Sequence, residues 1–231
     1  MILAGGLGTR LRPLTLEVPK PMIKIAGRPF LEYELRLLKK NGFKRFVICV
    51  GYKSEVIEDY FGHGKNLGVA ISYSNDGKQQ LGPAGGLKNA AALLDPEFMV
   101  TYGDSFLQMD YQGFEKEFQS SRKLGMMAVL ENHNEFAKSD LVVRDGLVIK
   151  YDKNQQLPGM SWINYGATML RKESLDYIPV DTEVGEEEFY RSLIKKKELA
   201  SFETFNRFYE IGTTSGLHEF EKFLSENLDF Y

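Results

Sequence analysis

The sequence is poor in cysteine and histidine and carries no excess of positive charge. Cys49 is the one cysteine among 231 residues, which excludes an intramolecular disulfide. The three histidines, His63, His133 and His218, have no metal-ligand spacing, and we expect them at the surface. The 29 Lys and Arg residues are outnumbered by 32 Asp and Glu residues, so the net charge is −3. Without a basic excess, neither a nucleic acid nor an anionic membrane is favoured as a partner.

Long apolar runs, low-complexity tracts and repeats are also missing. No apolar stretch approaches the roughly 18 residues of a membrane span, and the amino terminus lacks the charged start of a signal peptide. Residues 46–50, which include Cys49, form a short apolar run typical of a buried strand. We therefore expect one globular, cytoplasmic protein in a reducing compartment, with a hydrophobic content of 43% that suffices for a single core.

The most informative segment is residues 3–15, LAGGLGTRLRPLT, which is followed by Pro-Lys-Pro at residues 19–21. Three glycines within four positions let a backbone approach a ligand closely, and Arg10 and Arg12 follow at once. The apolar start of the chain indicates that this loop leaves the carboxyl end of a strand, where doubly wound sheets bind ligands. Lys20 lies between two prolines that restrict its segment. Together these features predict a phosphate-binding site.

Two common phosphate loops do not fit this segment. The P-loop pattern has no match, and a dinucleotide fingerprint that starts at Gly6 and Gly8 would place Leu11 where its third glycine belongs. A dehydrogenase is therefore disfavoured. A tight turn would explain two glycines alone, but Thr9, the arginines and Lys20 favour phosphate binding.

The segment LAGGLGTRLRPLT with its following PKP resembles the sugar-1-phosphate nucleotidylyltransferase (nucleotide-sugar pyrophosphorylase) family. The resemblance implies an enzyme of EC 2.7.7 type that joins a nucleoside triphosphate and a sugar 1-phosphate into a nucleotide sugar, with release of pyrophosphate. Such products serve as precursors of surface polysaccharides or other glycans. Arg10, Lys20 and Asp104 would be catalytic. The implied nucleotide-binding residues are Leu3, Ala4, Gly5, Gly6, Gly8, Thr9, Arg10, Gln80 and Gly82.

Two carboxylates are candidates for a metal site, and the resemblance implies Mg²⁺ as the cofactor. Asp104 follows a glycine at the end of an apolar run, and carboxylate oxygen suits this hard ion. Residues 210–213, Glu-Ile-Gly-Thr, resemble the family's D-I-G-T segment, whose aspartate is the second protein ligand of the metal. Glu210 replaces that aspartate here. The same residues also fit a turn before a helix capped by Thr213 or Thr214.

The remaining matches lie between these landmarks. Residues 81–86, LGPAGG, resemble the L-G-T-A-G segment that contacts base and ribose, and Gln79 and Gln80 precede it either as ligands or as a solvated loop. Asp152-Lys153 aligns with an E-K pair that in the family holds a sugar hydroxyl and the acceptor phosphate, although an exposed charged turn would also explain these two residues. Residues 164–166, Asn-Tyr-Gly, resemble the family's N-A-G segment, which also contacts the sugar. The implied sugar-phosphate residues are Asp152, Lys153, Asn164 and Gly166.

Short apolar strands alternate with amphipathic helices over about the first 130 residues, which indicates an α/β fold. The resemblance implies a Rossmann-like, three-layer α/β/α arrangement of the nucleotide-diphospho-sugar transferase type, with a mostly parallel central sheet. Asp145-Gly146 between two short apolar runs predicts an antiparallel hairpin. We expect one domain over residues 1–231, with a nucleotide-binding part at about 1–110 and a smaller sugar-phosphate-binding part at about 111–231.

Individual elements can also be predicted. The predicted strands are residues 45–50, 69–74, 98–102, 141–144, 147–151 and 162–170, and the predicted helices run from about 29 to 41, from a cap at Ser54 to Gly62, and over 85–94, 186–197 and 214–228.

Three functional alternatives remain open beside a short single-module enzyme that is similar to mannose or heptose 1-phosphate guanylyltransferases. A CTP-dependent cytidylyltransferase acting on an alcohol phosphate such as phosphocholine would share the first loop. A non-catalytic sensor of nucleotide sugars would explain Glu210, although it has no need of Arg10, Lys20 and Asp104 together. The third is the disfavoured dehydrogenase. The aromatic carboxyl end, Phe223 with Phe230 and Tyr231, either closes the fold, which we favour, or packs on a partner subunit of a homo-oligomer.

Overall fold

The structure is a computed structural model and describes residues 1–77, 81–135, 137–180 and 182–227. Its strands are β1 (Ile2–Leu3), β2 (Lys24–Ile25), β3 (Arg28–Pro29), β4 (Arg45–Val50), β5 (Ala70–Asn75), β6 (Glu97–Tyr102), β7 (Ser105–Phe106), β8 (Gly125–Glu131), β9 (Leu141–Arg144), β10 (Leu147–Tyr151), β11 (Trp162–Arg171), β12 (Leu199–Thr204) and β13 (Tyr209–Glu210). Its α-helices are α1 (Leu14–Glu17), α2 (Phe30–Lys40), α3 (Ser54–Phe61), α4 (Gly82–Asn89), α5 (Tyr111–Ser121), α6 (Glu186–Lys195) and α7 (Thr214–Glu226).

Backbone contacts divide the chain into two compact units. The first consists of Met1–Gln79, Thr101–Leu107 and Phe208–Tyr231, and the second of Gln80–Val100 and Gln108–Arg207. These units differ from the two consecutive parts expected from the sequence, about 1–110 and 111–231. The chain leaves the first unit after residue 79 and rejoins it twice, so sequence order alone does not separate them.

The first unit contains a parallel sheet around β1. Ile2 pairs with Ile48 of β4 on one side and with Thr101 of β6 on the other, and β5 extends the sheet beyond β4. Because all these pairs are parallel, the carboxyl ends of β1 and β6 lie at the same edge. Strand β4 coincides with the predicted strand 45–50 and buries Cys49, as expected. The loop after β1 therefore starts at the edge where β6 ends.

Helix α2 forms where its apolar spacing predicts it. Leu31, Leu35 and Leu38 are buried, and the helix ends where Asn41 donates its backbone N–H to carbonyls of the last turn. Helix α3 begins at Ser54, so the prediction that Ser54 is the N-cap is wrong by one residue. Lys53 is the residue at the N-cap, and the Ser54 hydroxyl accepts a hydrogen bond from Asn75.

An aromatic cluster joins α2, β7 and α7 within the first unit. Phe220 of α7 packs edge-on against Phe30, with ring centroids 4.8 Å apart, and lies 5.1 Å from Phe106. Ile211 is fully buried in the same cluster. Burying three aromatic rings of this size stabilises the fold by several kcal/mol. The cluster includes Phe106 of β7 and so supports the short β7–β13 pair, which ends at Glu210.

The second unit is built mainly from antiparallel pairs. Strand β8 pairs antiparallel with β11 and parallel with β12, and β10 pairs antiparallel with β12 and β9. The predicted hairpin is confirmed, because Asp145 and Gly146 join β9 to β10 with φ of 51° and 71°. Two positive φ values are what a type I′ turn requires.

The three histidines lie where the sequence predicts them. His63, His133 and His218 are all exposed, as expected. In the part of the chain that the structure describes, no helix has the length and apolar character needed to cross a membrane.

Candidate active site

Gly8 shapes the loop after β1. It lies at φ 59°, and a Cβ atom there would be 2.9 Å from Thr15 Cγ2 and 3.1 Å from Lys20 Cβ. The Thr15 hydroxyl donates a 2.9 Å hydrogen bond to the carbonyl of Gly8. A side chain at position 8 would therefore meet both steric conflict and an unfavourable backbone conformation.

The two preceding glycines differ in their surroundings. A Cβ atom on Gly5 would lie 3.4 Å from the backbone nitrogen of Gly51, so this glycine lets the loop pack against the turn after β4. A Cβ atom on Gly6 would have no described heavy atom within 4 Å. Gly6 therefore has no packing reason to be glycine among the described residues, whereas open space beside its backbone is what ligand contact requires.

A polar cavity of about 150 Å³ lies against this loop, lined by Gly8, Thr9, Arg10, Lys20 and Gly212. Two of these five residues, Arg10 and Lys20, are cations, and the arginine side chain can present several N–H donors to one anion. The cavity thus joins the first loop, the Pro-Lys-Pro segment and the residues after β13. Gly212 was not among the residues predicted for the site.

Lys20 and Asp104 form an ion pair in which the lysine side chain is 15% and the aspartate side chain 24% exposed. Asp104 follows Gly103, where a Cβ atom would lie 3.2 Å from Ala4 Cβ, so glycine allows β6 to end beside the first loop. Both residues had been predicted for the site, and the structure brings them together. The pairing limits repulsion between Lys20 and Arg10 when no anion is bound.

Glu210 lies near Arg10, at the end of strand β13, which runs antiparallel to β7. It pairs with Ser105 across β13 and β7, and the N–H of Ile211 donates a 3.0 Å hydrogen bond to the carbonyl of Asp104. A Cβ atom placed on Gly212 would lie 3.3 Å from Arg10 Nη2 and 3.6 Å from Glu210 Oε1. Glycine at 212 therefore leaves room for both charged groups.

These two carboxylates are suited to a hard divalent cation. Asp104 and Glu210 come from the ends of neighbouring strands, and the Glu210 residue is exposed. Carboxylate oxygens are the ligands that such ions prefer, with the remaining positions taken by water and substrate phosphate. Among the described residues no group of three or more acidic, histidine or cysteine side chains could hold a metal on its own. These two carboxylates alone would therefore leave most positions of such a cation to water and substrate phosphate.

Thr213, the last residue of the Glu-Ile-Gly-Thr segment, has a structural role of its own. It is the N-cap of α7, and its hydroxyl accepts a 3.1 Å hydrogen bond from the N–H of Gly216. The prediction of a helix cap at Thr213 or Thr214 is therefore confirmed for Thr213.

Lys153 lies in a charged cluster of the second unit. Its ammonium pairs with Glu186, the first residue of α6, and its backbone N–H donates a 3.1 Å hydrogen bond to Glu187 Oε2. Tyr151 Oη lies 3.3 Å from Glu186 Oε1. Burial, with the neighbouring carboxylate of Glu187, raises the pKa of Glu186 to about 7.

Asp152 is held by a different partner. Its Oδ2 atom lies 2.7 Å from Arg191 Nη2, and its Oδ1 atom accepts backbone N–H groups from Asn154 and Gln155 at 2.9 and 2.8 Å. These backbone donors, the one from Gln155 foremost, lower the pKa of Asp152. The Arg191 Nε atom also donates to the carbonyl of Tyr151, so helix α6 and the end of β10 are fastened together.

Asp140 connects the two predicted acceptor segments. Its carbonyl accepts the N–H of Asp152 at 2.9 Å, and its Oδ1 atom accepts the N–H of Asn164 at 3.2 Å. Asn164 Oδ1 in turn accepts the N–H of Gly166, whose φ of 104° lies at an irregularity in the pairing of β11 with β8. Burial raises the pKa of Asp140 to about 6. All four predicted sugar-phosphate residues thus lie in one hydrogen-bonded network.

Sequence reasoning missed Asp140, Glu186 and Arg191, which hold the predicted acceptor residues in place. Arg191 lies four residues after Glu187 and forms an ion pair with it, so the i,i+4 charge pattern of the helix was the available signal. The sequence has no comparable signal for Asp140 or Glu186, because their partners are distant along the chain.

The other predicted nucleotide-binding residues are placed as follows. Ala4 is buried and donates its N–H to the carbonyl of Cys49, and Leu3 is half-buried in β1. A Cβ atom on Gly82 would lie 2.7 Å from the carbonyl oxygen of Val184, which gives this glycine a packing reason within the second unit. Gln80 lies outside the described residues, as does Gln79. Arg12, close to Arg10 in the motif, is exposed.

Comparison with known proteins finds relatives of this chain, and the matching family model includes the first loop. The family model described as nucleotidyl transferase matches residues 1–146. The chain is 32% identical to a D-glycero-alpha-D-manno-heptose 1-phosphate guanylyltransferase of Campylobacter jejuni, a match that covers 95% of this chain and 97% of the relative. It is 34% identical to a UTP–glucose-1-phosphate uridylyltransferase of Synechocystis, with 78% and 50% covered, and so spans half the length of that relative.

A solved structure gives a similar result. HddC from Yersinia pseudotuberculosis, complexed with GMP-PN, superposes with a TM-score of 0.78 at 28% identity, and the match covers 96% of this chain and 97% of that one. The chain thus shares its α/β fold with HddC, and the same fold is found in a putative glucose-1-phosphate thymidylyltransferase from Bacillus anthracis, with a TM-score of 0.84 at 19% identity over 98% of this chain and 94% of that one.

Proposed function

The chain belongs to the nucleotidyl transferase family of sugar-1-phosphate nucleotidylyltransferases, and we propose that it transfers the guanylyl group of GTP to a mannose or heptose 1-phosphate. The observation that carries this proposal is the cavity that joins Arg10 and Lys20 beside Asp104. The choice of base and sugar is supported by the heptose 1-phosphate guanylyltransferases of Campylobacter jejuni and Aneurinibacillus thermoaerophilus, of which the chain covers 97% and 96%.

The reaction exchanges one phosphoanhydride bond for another. An oxygen of the acceptor phosphate attacks the α-phosphorus of the triphosphate, a new P–O bond forms, the bond to the bridging α–β oxygen breaks, and pyrophosphate leaves with the electron pair. Both substrates are polyanions, so repulsion and misorientation dominate the barrier. No general base is needed, because a phosphate monoester has its second pKa at about 6 and is already ionised near neutral pH.

Arg10 and Lys20 supply the positive charge that this step requires. Both residues line the cavity together with Gly8 and Thr9, and we expect N–H groups of this loop to donate to phosphate oxygens. Lys20 pairs with Asp104 in the structure, so a bound triphosphate competes with that carboxylate for the ammonium group. We expect Arg10 to stabilise the charge that develops on the departing pyrophosphate.

Asp104 and Glu210 would hold a divalent cation, which we take to be Mg²⁺. When bound, the ion would neutralise part of the charge on the triphosphate. The glutamate at 210 in place of the family's aspartate adds one methylene group, and Gly212 leaves space beside it. Both carboxylates are therefore assigned to the metal as part of the proposal.

Lys153 would bind the acceptor phosphate, while Asp152, Asn164 and Gly166 would hold sugar hydroxyls. In support, these four residues share one hydrogen-bonded network that includes Asp140. Lys153 pairs with Glu186 without a ligand, and its side chain is still 48% exposed, so a phosphate can approach the ammonium from solvent. Gly82 and Gln80 stay candidates for the nucleotide base on the resemblance of the sequence alone, and Gln80 lies outside the described residues.

Pyrophosphate release in the presence of Mg²⁺ tests the proposal. GTP, UTP, dTTP, CTP and ATP are crossed with mannose, glucose, N-acetylhexosamine and heptose 1-phosphates and with phosphocholine, and products are identified by mass spectrometry. We expect turnover with GTP and mannose or heptose 1-phosphate. Turnover confined to CTP and phosphocholine would instead make the chain a cytidylyltransferase of alcohol phosphates.

A second candidate function is a sensor that binds a nucleotide sugar without turnover, and the specific observation that favours it is Glu210 at the metal position. The absence of pyrophosphate release with every substrate pair, together with binding of a nucleotide sugar in calorimetry, would support the sensor. In that case Glu210→Asp becomes the informative variant, since restored turnover would assign the loss of activity to this residue.

A further inference from the structure

Lys53 has a backbone conformation that a lysine rarely adopts. It lies between β4 and α3 at φ 53° and ψ 43°, in the left-handed region. For a residue with a Cβ atom this conformation is strained, and such strain persists only where surrounding contacts maintain it. The contacts that accompany it therefore need an explanation.

The ammonium group of Lys53 caps the carboxyl end of helix α1. Its Nζ atom donates hydrogen bonds of 2.7 Å to the carbonyl oxygens of both Leu16 and Glu17. These carbonyls belong to the last turn of a helix of four residues, where backbone acceptors have no intrahelical donor. A positive charge at this end is also favourable to the helix dipole.

Helix α1 connects the two phosphate-binding segments of the proposed site. Thr15, in its first turn, is 1% exposed and donates a hydrogen bond to the carbonyl of Gly8. Soon after the helix the chain reaches Lys20, whose Cβ atom lies 3.1 Å from where a Cβ on Gly8 would be. A shift of α1 would thus move Gly8 and Lys20 together.

We propose that Lys53 is a positioning residue of the nucleotide site: by holding the carbonyls of Leu16 and Glu17 it fixes α1, and through α1 it fixes Gly8 and Lys20 for the triphosphate. The inference rests on the proposed function, since it assigns Lys53 to the binding of that substrate. Lys53 itself touches no reacting atom in this account.

A purely structural role would be served better by another residue. Glycine would occupy the left-handed conformation without strain, and hydrogen bonds from a half-exposed lysine add little to folding stability. The presence of a strained lysine is therefore better explained by the position of its ammonium group than by the stability of the turn.

The test separates strain from positioning with two variants. Lys53→Met removes the ammonium and keeps the strain, whereas Lys53→Gly removes both, so Lys53→Gly should melt at the same or a higher temperature than Lys53→Met. If Lys53 positions the loop, both variants should raise the KM for the nucleoside triphosphate about tenfold. The KM for the sugar phosphate should change less than about twofold, and Lys53→Arg should restore most of the loss.

A matched control is available in the same unit. Lys39 Nζ also donates to a carbonyl, that of Leu67, at 2.6 Å, and this turn precedes β5 rather than the phosphate loop. Lys39→Met should therefore leave both KM values unchanged. The proposal is overturned if Lys53→Gly keeps the wild-type KM for the triphosphate, or if Lys53→Met and Lys39→Met behave alike.

Binding measured without turnover distinguishes this inference from the proposed function. If the wild type releases no pyrophosphate with any substrate pair, yet binds a triphosphate in calorimetry about tenfold more tightly than Lys53→Met, the reaction is wrong and the role of Lys53 stands. If the wild type turns over and the Lys53 variants match it, the reaction stands and the role of Lys53 is rejected.

Discussion

The two predicted binding regions differ in charge and in how the chain builds them. The cavity at the first loop of the first unit is lined by Arg10 and Lys20. The acceptor cluster of the second unit sets four carboxylates, those of Asp140, Asp152, Glu186 and Glu187, beside the cations Lys153 and Arg191.

This contrast has a physical meaning. A region of positive charge suits a triphosphate that carries several negative charges, whereas a mixed network suits one phosphate and the hydroxyl groups of a sugar. In the first region Lys20 pairs with one carboxylate, that of Asp104, whereas in the second region two cations pair with several carboxylates. Binding of phosphate should therefore depend on single residues at the first site and on the whole network at the second.

The largest effect is expected for Arg10→Ala. Removing this guanidinium from the cavity should lower kcat at saturating substrates by on the order of a hundredfold or more, because the charge of the departing pyrophosphate loses its donor. Arg12→Ala is the matched control, since Arg12 is exposed like Arg10 but is not among the residues that line the cavity, and it should stay within about threefold of the wild type in the same assay. Equal losses in both variants would contradict the special position of Arg10.

Lys153→Met should have the next largest effect and should sharpen the difference between the regions. We expect the KM for the sugar phosphate to rise about thirtyfold, with little change in the KM for the triphosphate, because the ammonium is assigned to the acceptor phosphate. Lys150, exposed on the preceding strand, provides the control in Lys150→Met. A rise confined to the KM of the triphosphate would reverse the assignment of the two regions.

The two glycines Gly8 and Gly6 should respond differently to alanine. Gly8→Ala places a Cβ atom 2.9 Å from Thr15 at a positive φ and should lower the free energy of unfolding by about 1–3 kcal/mol. Gly6→Ala meets no described atom within 4 Å, so stability should change by less than about 0.5 kcal/mol while the KM for the triphosphate rises. Urea unfolding and steady-state kinetics measure the two effects, and equal destabilisation would refute the distinction.

The smallest effect concerns pH and the second region. Burial raises the pKa of Asp140 to about 6 from 3.8, so the unfolded chain releases this proton before the folded protein does. Stability of the wild type should therefore fall as pH rises from about 4 to about 6, and Asp140→Asn should lack this component while its amide oxygen can still accept the N–H of Asn164.

As pH rises over that interval, the unfolding free energy of Asp140→Asn should therefore increase relative to that of the wild type. We expect about 1–2 kcal/mol, less than the full shift because Asp140 is partly exposed. Urea unfolding at a series of pH values from about 4 to about 7 measures the difference. Parallel stability curves over this range would show that Asp140 does not titrate as described.

Local elements could be predicted from the sequence where the signal is contiguous. Strand β4, the end of α2 at Asn41 and the β9–β10 turn at Asp145-Gly146 follow from apolar runs and turn residues alone. The cap of α3 was misassigned to Ser54, because serine is a preferred cap and nothing local indicates a left-handed lysine before it. Helix α4 begins at Gly82, earlier than the predicted residue 85, with proline in its first turn.

Features that depend on distant partners could not be predicted. Strand β12 joins β8 in parallel, with Leu199 opposite Gly125, and neither sequence segment specifies the other. That Gly8, Arg10 and Lys20 line one cavity could be predicted, because they lie within one motif. The second was predictable only in part, because Glu186 and Asp140 are brought to Lys153 and Asn164 by tertiary structure.

The central claim is that the cavity at the first loop binds the triphosphate of a nucleotidyl transfer reaction. The most direct test is pyrophosphate release by the wild type, Arg10→Ala and Arg12→Ala, measured side by side with GTP and mannose or heptose 1-phosphate. The account predicts turnover in the wild type and in Arg12→Ala and a loss of about a hundredfold or more in Arg10→Ala. Turnover in Arg10→Ala at the wild-type rate would contradict it.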